Sequence, residues 1–298
     1  MPETFNELFT SVPITVNGSY TPLMGLLDCT DGGAFAIIWY APGTGADSRW
    51  QDITPDEEEV VLDYTTESLS VNGFYDPFVG DFDGDGCDDV FWYAPGSAPD
   101  FVWYGVDGGG FTSRAVSVNG DYVPLVDDWD DGTLGDDIFW YGAGGGTESI
   151  WTGSPTRGTF GVSTGPQVSG TDYRTASFGE GVLFHRPGAG PDYAWIDILA
   201  GASAPGASIE TTINRTYEPY FVGGMLLYGP GPAKDTFVYE LSEDGDLATI
   251  DGTINGTYTV AVSPPGLGGT AIFHAPGVAQ DYFWAGGFGG GAASTFQP

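Results

Sequence analysis

Basic residues are nearly missing from this chain. Seven Lys and Arg face 41 Asp and Glu, Lys234 is the single lysine, and the net charge is −34. Binding to nucleic acid by phosphate neutralisation is excluded on that balance, and so is attraction to an anionic membrane surface. No apolar run is long enough to span a bilayer, so membrane insertion is not expected. Met1 to Glu7 has neither a basic segment nor an apolar core, so the chain reads as lacking a signal peptide. On that reading a leader has been removed, or the protein leaves its cell by another route, such as lysis. Histidine and cysteine occur twice each. No nucleophile–base pairing can be read from so few groups, and the expectation is that the chain is not an enzyme. The abundant acids leave a carboxylate-pair hydrolase open as a third reading.

Aromatic residues make up 15% of the chain, beside 49 Gly and 21 Pro. That aromatic content assigns the Gly and Pro to turns between packed strands, not to disorder. One phrase recurs six times: an aromatic strand, Pro-Gly or a variant, three free positions, an acid and another aromatic. The second copy reads Trp92-Tyr93-Ala94-Pro95-Gly96, Asp100, Trp103. The turn glycines, Gly43, Gly96, Gly144, Gly188, Gly231 and Gly277, lie 53, 48, 44, 43 and 46 residues apart. A fixed motif at such a period marks one supersecondary unit stacked six times.

Within the second repeat, Val79–Asp83, Asp89–Tyr93, Phe101–Tyr104 and Thr112–Val118 read as four short strands. Pro-Gly and Asn-Gly turns separate them. The fold class is therefore all-β: a six-bladed β-propeller of four-stranded blades, one domain over residues 1–298 with repeats of about 47 residues. Asn-Gly or a variant precedes a tyrosine six times, and the first copy comes before any blade. Pro13 to Val16 is accordingly expected to supply the outer strand of the sixth blade, closing the ring and removing an open sheet edge. The longest insertion, Gln51 to Ser68 with Asp56-Glu57-Glu58-Glu59, reads as a solvated rim loop. Cys29 and Cys87 fall near equivalent turns of adjacent blades. Whether they pair is open, because sequence does not supply the Cα spacing a disulfide needs.

Asp81-Phe82-Asp83-Gly84-Asp85-Gly86-Cys87-Asp88-Asp89 is a cation loop. Asp81, Asp83, Asp85 and Asp89 occupy positions one, three, five and nine, the glycines permit a tight wrap, and the Cys87 carbonyl can complete an oxygen shell suited to Ca²⁺. Gly80 to Gly86 followed by Asp89-Val90-Phe91 resembles the calcium-loop blades of FG-GAP/VCBS repeat proteins, the group of integrin-type propellers. The resemblance is specific in the second repeat and implies a calcium-stabilised propeller, exported, adhesive or carbohydrate-associated. In the third repeat Asp128, Asp130 and Asp137 keep part of the pattern, and in the first Asp28 and Asp31. Phe178 to Gly181 is only a tight turn.

His185 and His274 occupy the place of Tyr40, Tyr93, Tyr141 and Tyr228, which argues for structural roles. The acid after each Pro-Gly turn can cap that turn. Tyr20, Tyr75, Tyr122, Tyr217 and Tyr258 are candidate ligand contacts on the turn face, with Tyr173 a sixth copy. Trp50, Trp103, Trp151, Trp195 and Trp284 lie on third strands, where sugar stacking competes with core packing. The resulting expectation is a non-enzymatic, lectin-like recognition or adhesion module, extracellular or surface-exposed, whose partner is a carbohydrate or protein surface. The alternative is a structural or decoration subunit of a virion or filament, assembled into a larger particle.

Overall fold

The β-branched and aromatic runs of each repeat become strands, as their composition favours. The computed structural model describes residues 8–29, 34–56, 61–130, 135–143, 145–170, 172–179, 181–264 and 269–286. These hold twenty-four strands, with no helix among the described residues. β1 (Phe9–Ile14) precedes the first full blade, which is β2 (Thr21–Asp28), β3 (Ala34–Tyr40), β4 (Asp47–Asp56) and β5 (Val61–Leu69). The second is β6 (Asp76–Gly80), β7 (Asp89–Tyr93), β8 (Asp100–Gly105) and β9 (Phe111–Val116). The third is β10 (Val123–Asp127), β11 (Asp137–Tyr141), β12 (Ser149–Thr152) and β13 (Gly161–Thr164). The fourth is β14 (Arg174–Phe178), β15 (Gly181–His185), β16 (Asp192–Ile196) and β17 (Ala207–Thr211). The fifth is β18 (Glu218–Phe221), β19 (Met225–Tyr228), β20 (Asp235–Leu241) and β21 (Leu247–Gly252). The sixth begins with β22 (Thr259–Val262), β23 (Ala271–His274) and β24 (Asp281–Gly286).

Every blade is a four-stranded antiparallel sheet, and β1 completes the sixth by pairing with β24, from Phe9↔Gly286 to Ile14↔Asp281. The fold is the six-bladed propeller closed by its N-terminal strand. The closing strand lies a few residues earlier than the expected Pro13 to Val16. Phe9 packs on one face with Trp284 and with Phe237 of blade five, and Val12 and Ile14 pack on the other with Met24 and Ile37 of blade one, so apolar residues on both faces set its span, and Pro13 is tolerated on an outer edge. The insertion in blade one also differs from a rim loop. β4 and β5 extend through it as a hairpin with an irregular register between Gln51 and Thr54, and Ile53 and Leu62 pack into the core. Glu57 to Glu59 lie outside the described residues.

Core clusters are shared between neighbouring blades: Leu23, Leu27, Ile38 and Tyr40 of the first pack with Val90 and Trp92 of the second. Each fully buried large side chain contributes about 1.5–3 kcal/mol. The innermost strands line the channel, and four carry proline at the second position: Pro22, Pro77, Pro124 and Pro219. These prolines border the channel cavities of about 260 and 200 Å3. A proline offers no N–H, so these inner edges present fewer groups for stray strand pairing. Cys29 and Cys87 form a disulfide with a Cα–Cα distance of 5.6 Å, joining blade one to blade two.

Candidate cation site and the turn face

The loop between β6 and β7 wraps on itself because Gly84 and Gly86 adopt positive φ, 71° and 88°. Its bend closes around Asp81. Asp81 Oδ1 accepts the N–H groups of Gly84 (2.9 Å) and Asp85 (3.1 Å), and Oδ2 accepts that of Gly86 (2.9 Å). Asp89 is fully buried. It accepts Phe82 N–H at 3.0 Å and Gly105 N–H at 2.9 Å, tying the loop to the end of β8. Carboxylate oxygens of Asp81, Asp83 and Asp89 lie within 4.8 Å of one another. Asp83 is buried, and its Oδ1 has no hydrogen-bond partner. Burial, then the charges of Asp83 and Asp81, pushes the Asp89 carboxyl up to about 9. Burial likewise raises Asp81. Clustered desolvated carboxyls gain from a counter-charge, and hard oxygens on a bent loop suit Ca²⁺.

One counter-charge comes from a residue the sequence reading passed over. Arg157, in the loop between β12 and β13 of blade three, donates from Nε to Asp83 Oδ2 at 2.5 Å and from Nη2 to Asp85 Oδ2 at 2.9 Å. It also caps the Gly105 carbonyl at 2.9 Å and lies over the Tyr104 ring. The available signal was its rarity, as one of seven basic residues in a chain of charge −34. Asp85 is thus held by Arg157 and by Cys87 N–H at 3.0 Å. The close group is Asp81, Asp83 and Asp89, and Cys87 anchors the loop covalently to blade one. With three converging carboxylates and a buried oxygen lacking a partner, these residues fit a hard divalent cation.

The third-repeat loop repeats the scheme. Asp128, Asp130 and Asp137 come together, and Asp137 accepts Trp129 N–H at 2.9 Å and Gly153 N–H at 2.8 Å. Burial and then Asp130 push its carboxyl up to about 7. Residues 131–134 lie outside the described residues, as does Asp31 of the first repeat; Asp28 is buried. At the fourth-repeat turn, Gly181 N–H reaches Gly179 O at 2.6 Å; Glu180 is not among the described residues.

On the opposite face the repeated acids do cap the turns. Asp47 accepts Ala41 N–H at 2.8 Å and Val71 N–H at 2.7 Å. Asp100 does the same for Ala94 (2.8 Å) and Val118 (2.7 Å). Each acid so joins a Pro-Gly turn to an Asn-Gly turn, which also pair directly, as Gly96 does with Gly120. The histidines belong to this scaffold. Tyr40 Oη donates to Gly73 O at 2.8 Å and accepts Tyr75 N–H at 3.0 Å. His185 Nε2 accepts Tyr217 N–H at 3.3 Å instead, which places its proton on Nδ1 facing Asp192 at 2.8 Å. His274 stands likewise between Tyr20 N–H and Asp281.

Tyr20, Tyr75, Tyr122 and Tyr258 are half-buried on this face, and Tyr217 is buried. Any side chain at Gly18, Gly73, Gly120 or Gly256 would collide with the tyrosine ring two residues on. Three of the rings meet Trp39, Trp92 and Trp140 edge-on, and Tyr258 meets Phe273. These contacts place the tyrosines partly in the core. The third-strand tryptophans also pack inward, Trp50 on Trp39 and Trp103 on Trp92, each at 5.1 Å.

No family model matches the chain, and no curated protein matches it. Among solved structures, the PQQ-bound form of aldose sugar dehydrogenase from Streptomyces coelicolor is similar. It is 10% identical, with 93% of this chain and 98% of that chain covered at a TM-score of 0.47. The expectation that the chain is not an enzyme is corrected by this finding, and that exclusion is withdrawn. At this TM-score the likeness carries no argument for a dehydrogenase activity or for PQQ here.

Proposed function

We propose that the chain is a calcium-stapled recognition propeller that works extracellularly or at a surface, binding a carbohydrate or protein partner through its turn face. The FG-GAP/VCBS resemblance of Gly80 to Phe91 belongs to the same proposal. The observation that carries the cation assignment is Asp83 Oδ1, buried and without a hydrogen-bond partner beside Asp81 and Asp89. The disulfide between blades one and two supports an oxidising compartment. The turn face supports recognition: exposed Asn17, Asn72, Asn119, Asn214 and Asn255 stand beside tyrosine rings and backbone turns held in place by buried acids. Such pre-ordered polar and aromatic surface loses little entropy on binding.

Two measurements test the reading. Calorimetric titration of chelator-treated protein with Ca²⁺ should show saturable binding, and Asp83→Ala should weaken it at least ten-fold. A glycan array and a pull-down of surface proteins should return a partner whose binding is lost when the turn face is altered. Absence of any partner, with the chain found only inside assembled particles, would replace recognition by the structural-subunit alternative.

A further inference from the structure

The fourth blade departs from its neighbours at one spot on the turn face. Elsewhere each third-strand tryptophan is covered by a ring of the outermost strand, placed two residues before its cross-strand partner. Trp50 pairs with Thr66 and stacks on Tyr64 at 3.7 Å; Trp103 pairs with Ser113 and meets Phe111 at 5.6 Å. Trp151 pairs with Val162 and meets Phe160 at 5.5 Å; Trp284 pairs with Ser11 and stacks on Phe9 at 4.8 Å. Trp195 pairs with Ser208, and two residues earlier stands Gly206. The covering ring is missing, and among the described residues the aromatic partner of Trp195 is Phe184, on its inner side.

Beside that uncovered indole, Arg186 replaces the small residues Ala41, Ala94, Gly142, Gly229 and Ala275 of the other blades. Its guanidinium lies 4.7 Å from the centre of the Tyr173 ring, and Nη2 donates to Tyr173 Oη at 3.1 Å. Arg49, Arg157, Arg174 and Lys234 each pair with a carboxylate. Among the described residues no carboxylate pairs with the Arg186 guanidinium, and its Nε is buried without a partner. Between these groups opens a cavity of about 310 Å3, walled by Tyr173, Tyr193, Trp195, Arg186, Gln167 and Ser208. That lies at the lower end of ligand-pocket sizes, about 300–1,000 Å3.

We propose that this cavity binds a carboxylate-bearing pyranose, an acidic saccharide. The apolar face of the sugar ring covers Trp195 where the other blades supply an aromatic ring. The carboxylate pairs with the planar guanidinium of Arg186, which can hold it through two hydrogen bonds. Tyr193, Ser208 and Gln167 line the same cavity; the Gln167 Nε2 already donates to the Glu148 and Gly165 carbonyls, so its Oε1 and the two hydroxyl-bearing side chains are the polar groups offered to a ligand rich in hydroxyls, which favours a sugar over a purely aromatic acid. This assignment rests on the recognition reading and names its ligand class and site.

The test uses the full calcium-loaded chain, titrated with oligogalacturonate, with a neutral galacto-oligosaccharide and with benzoate, followed by calorimetry and tryptophan fluorescence. The expected result is oligogalacturonate binding at least ten-fold tighter than the neutral sugar, with a change in fluorescence. Arg186→Ala, the residue of three other blades, should abolish that preference, and Arg186→Lys should keep part of it. Ser208→Phe, which puts a bulky ring directly across the strand from Trp195 in the cavity wall, should weaken binding at least ten-fold. Melting curves of the variants should match that of the parent. Equal affinity for acidic and neutral sugars, tighter binding of benzoate than of the uronate, or unchanged binding by Arg186→Ala and Ser208→Phe would overturn the proposal. Turn-face binding of another glycan or protein, unaffected by these variants, would overturn it while leaving the recognition reading standing.

Discussion

The Asp88 carboxylate of blade two accepts the Leu26 N–H of blade one at 2.6 Å, in space that Gly25 leaves by having no side chain. Asp136 of blade three repeats the contact on Asp81 N–H at 2.8 Å, beside Gly80. A carboxylate and a glycine on adjacent blades thus form one unit, so the acid loops fasten blades together whatever ion they hold. Gly25→Ala should cost about 1–3 kcal/mol by forcing Asp88 away from its donor. In an Asp88→Ala background the same change should cost clearly less. Additive losses in urea unfolding would show that the two residues are independent.

The same carboxyls predict a pH dependence in calcium-free protein. Burial, then neighbouring acids, raises Asp88 to about 7 and Asp136 to about 6. The unfolded carboxyl releases its proton near pH ~3.9. Between pH ~4 and 7 the folded chain therefore holds more protons, so stability is greatest at the acid end and falls as pH rises. Asp88→Asn, which can still accept the Leu26 N–H, should flatten that fall. A melting temperature that rises between pH 4 and 7 without calcium would contradict it.

Arg157 and a bound cation serve the same carboxylates. Arg157→Met should lower the melting temperature strongly in chelator, since removing one partner of a largely buried pair costs about 3–5 kcal/mol at the extreme. Excess Ca²⁺ should restore most of the loss, because a ligand bound only to the folded state adds about 2.7 kcal/mol at ~100 times its dissociation constant. Equal losses with and without Ca²⁺ would separate Arg157 from the cation site.

Ring closure is open to direct test. Deleting residues 1–18 removes β1, the Phe9–Trp284 stack and the Val16 N–H that caps Asp281 at 2.7 Å. The exposed edge of β24 should then cause aggregation or a broad, early melt. A monomeric truncation with the parent melting curve would show that closure contributes nothing.

His185 should tolerate its repeat counterpart. His185→Tyr supplies an oxygen to accept Tyr217 N–H, as Tyr40 does for Tyr75, and should change stability by less than about 1.5 kcal/mol. His185→Leu leaves that buried N–H unsatisfied and should cost about 1–3 kcal/mol.

The period, the four strands per blade and the closing strand were legible in the chain, because turn chemistry at Pro-Gly and Asn-Gly and apolar alternation are local properties. The acid loop was legible for the same reason: Asp81 to Asp89 are neighbours in sequence. Arg157 lies 74 residues from Asp83, so only the packing of blade three on blade two could bring its charge there. The Cys29–Cys87 pairing likewise needed a distance across two blades, and so did the fit of Asp88 into the gap at Gly25. The uncovered face of Trp195 depended on register. Gly206 looks like any other turn glycine until strand pairing sets it where Tyr64, Phe111, Phe160 and Phe9 stand. Local sequence determined what each repeat is, and tertiary contact decided where the repeats differ, because the side chains that meet between blades are dozens of residues apart.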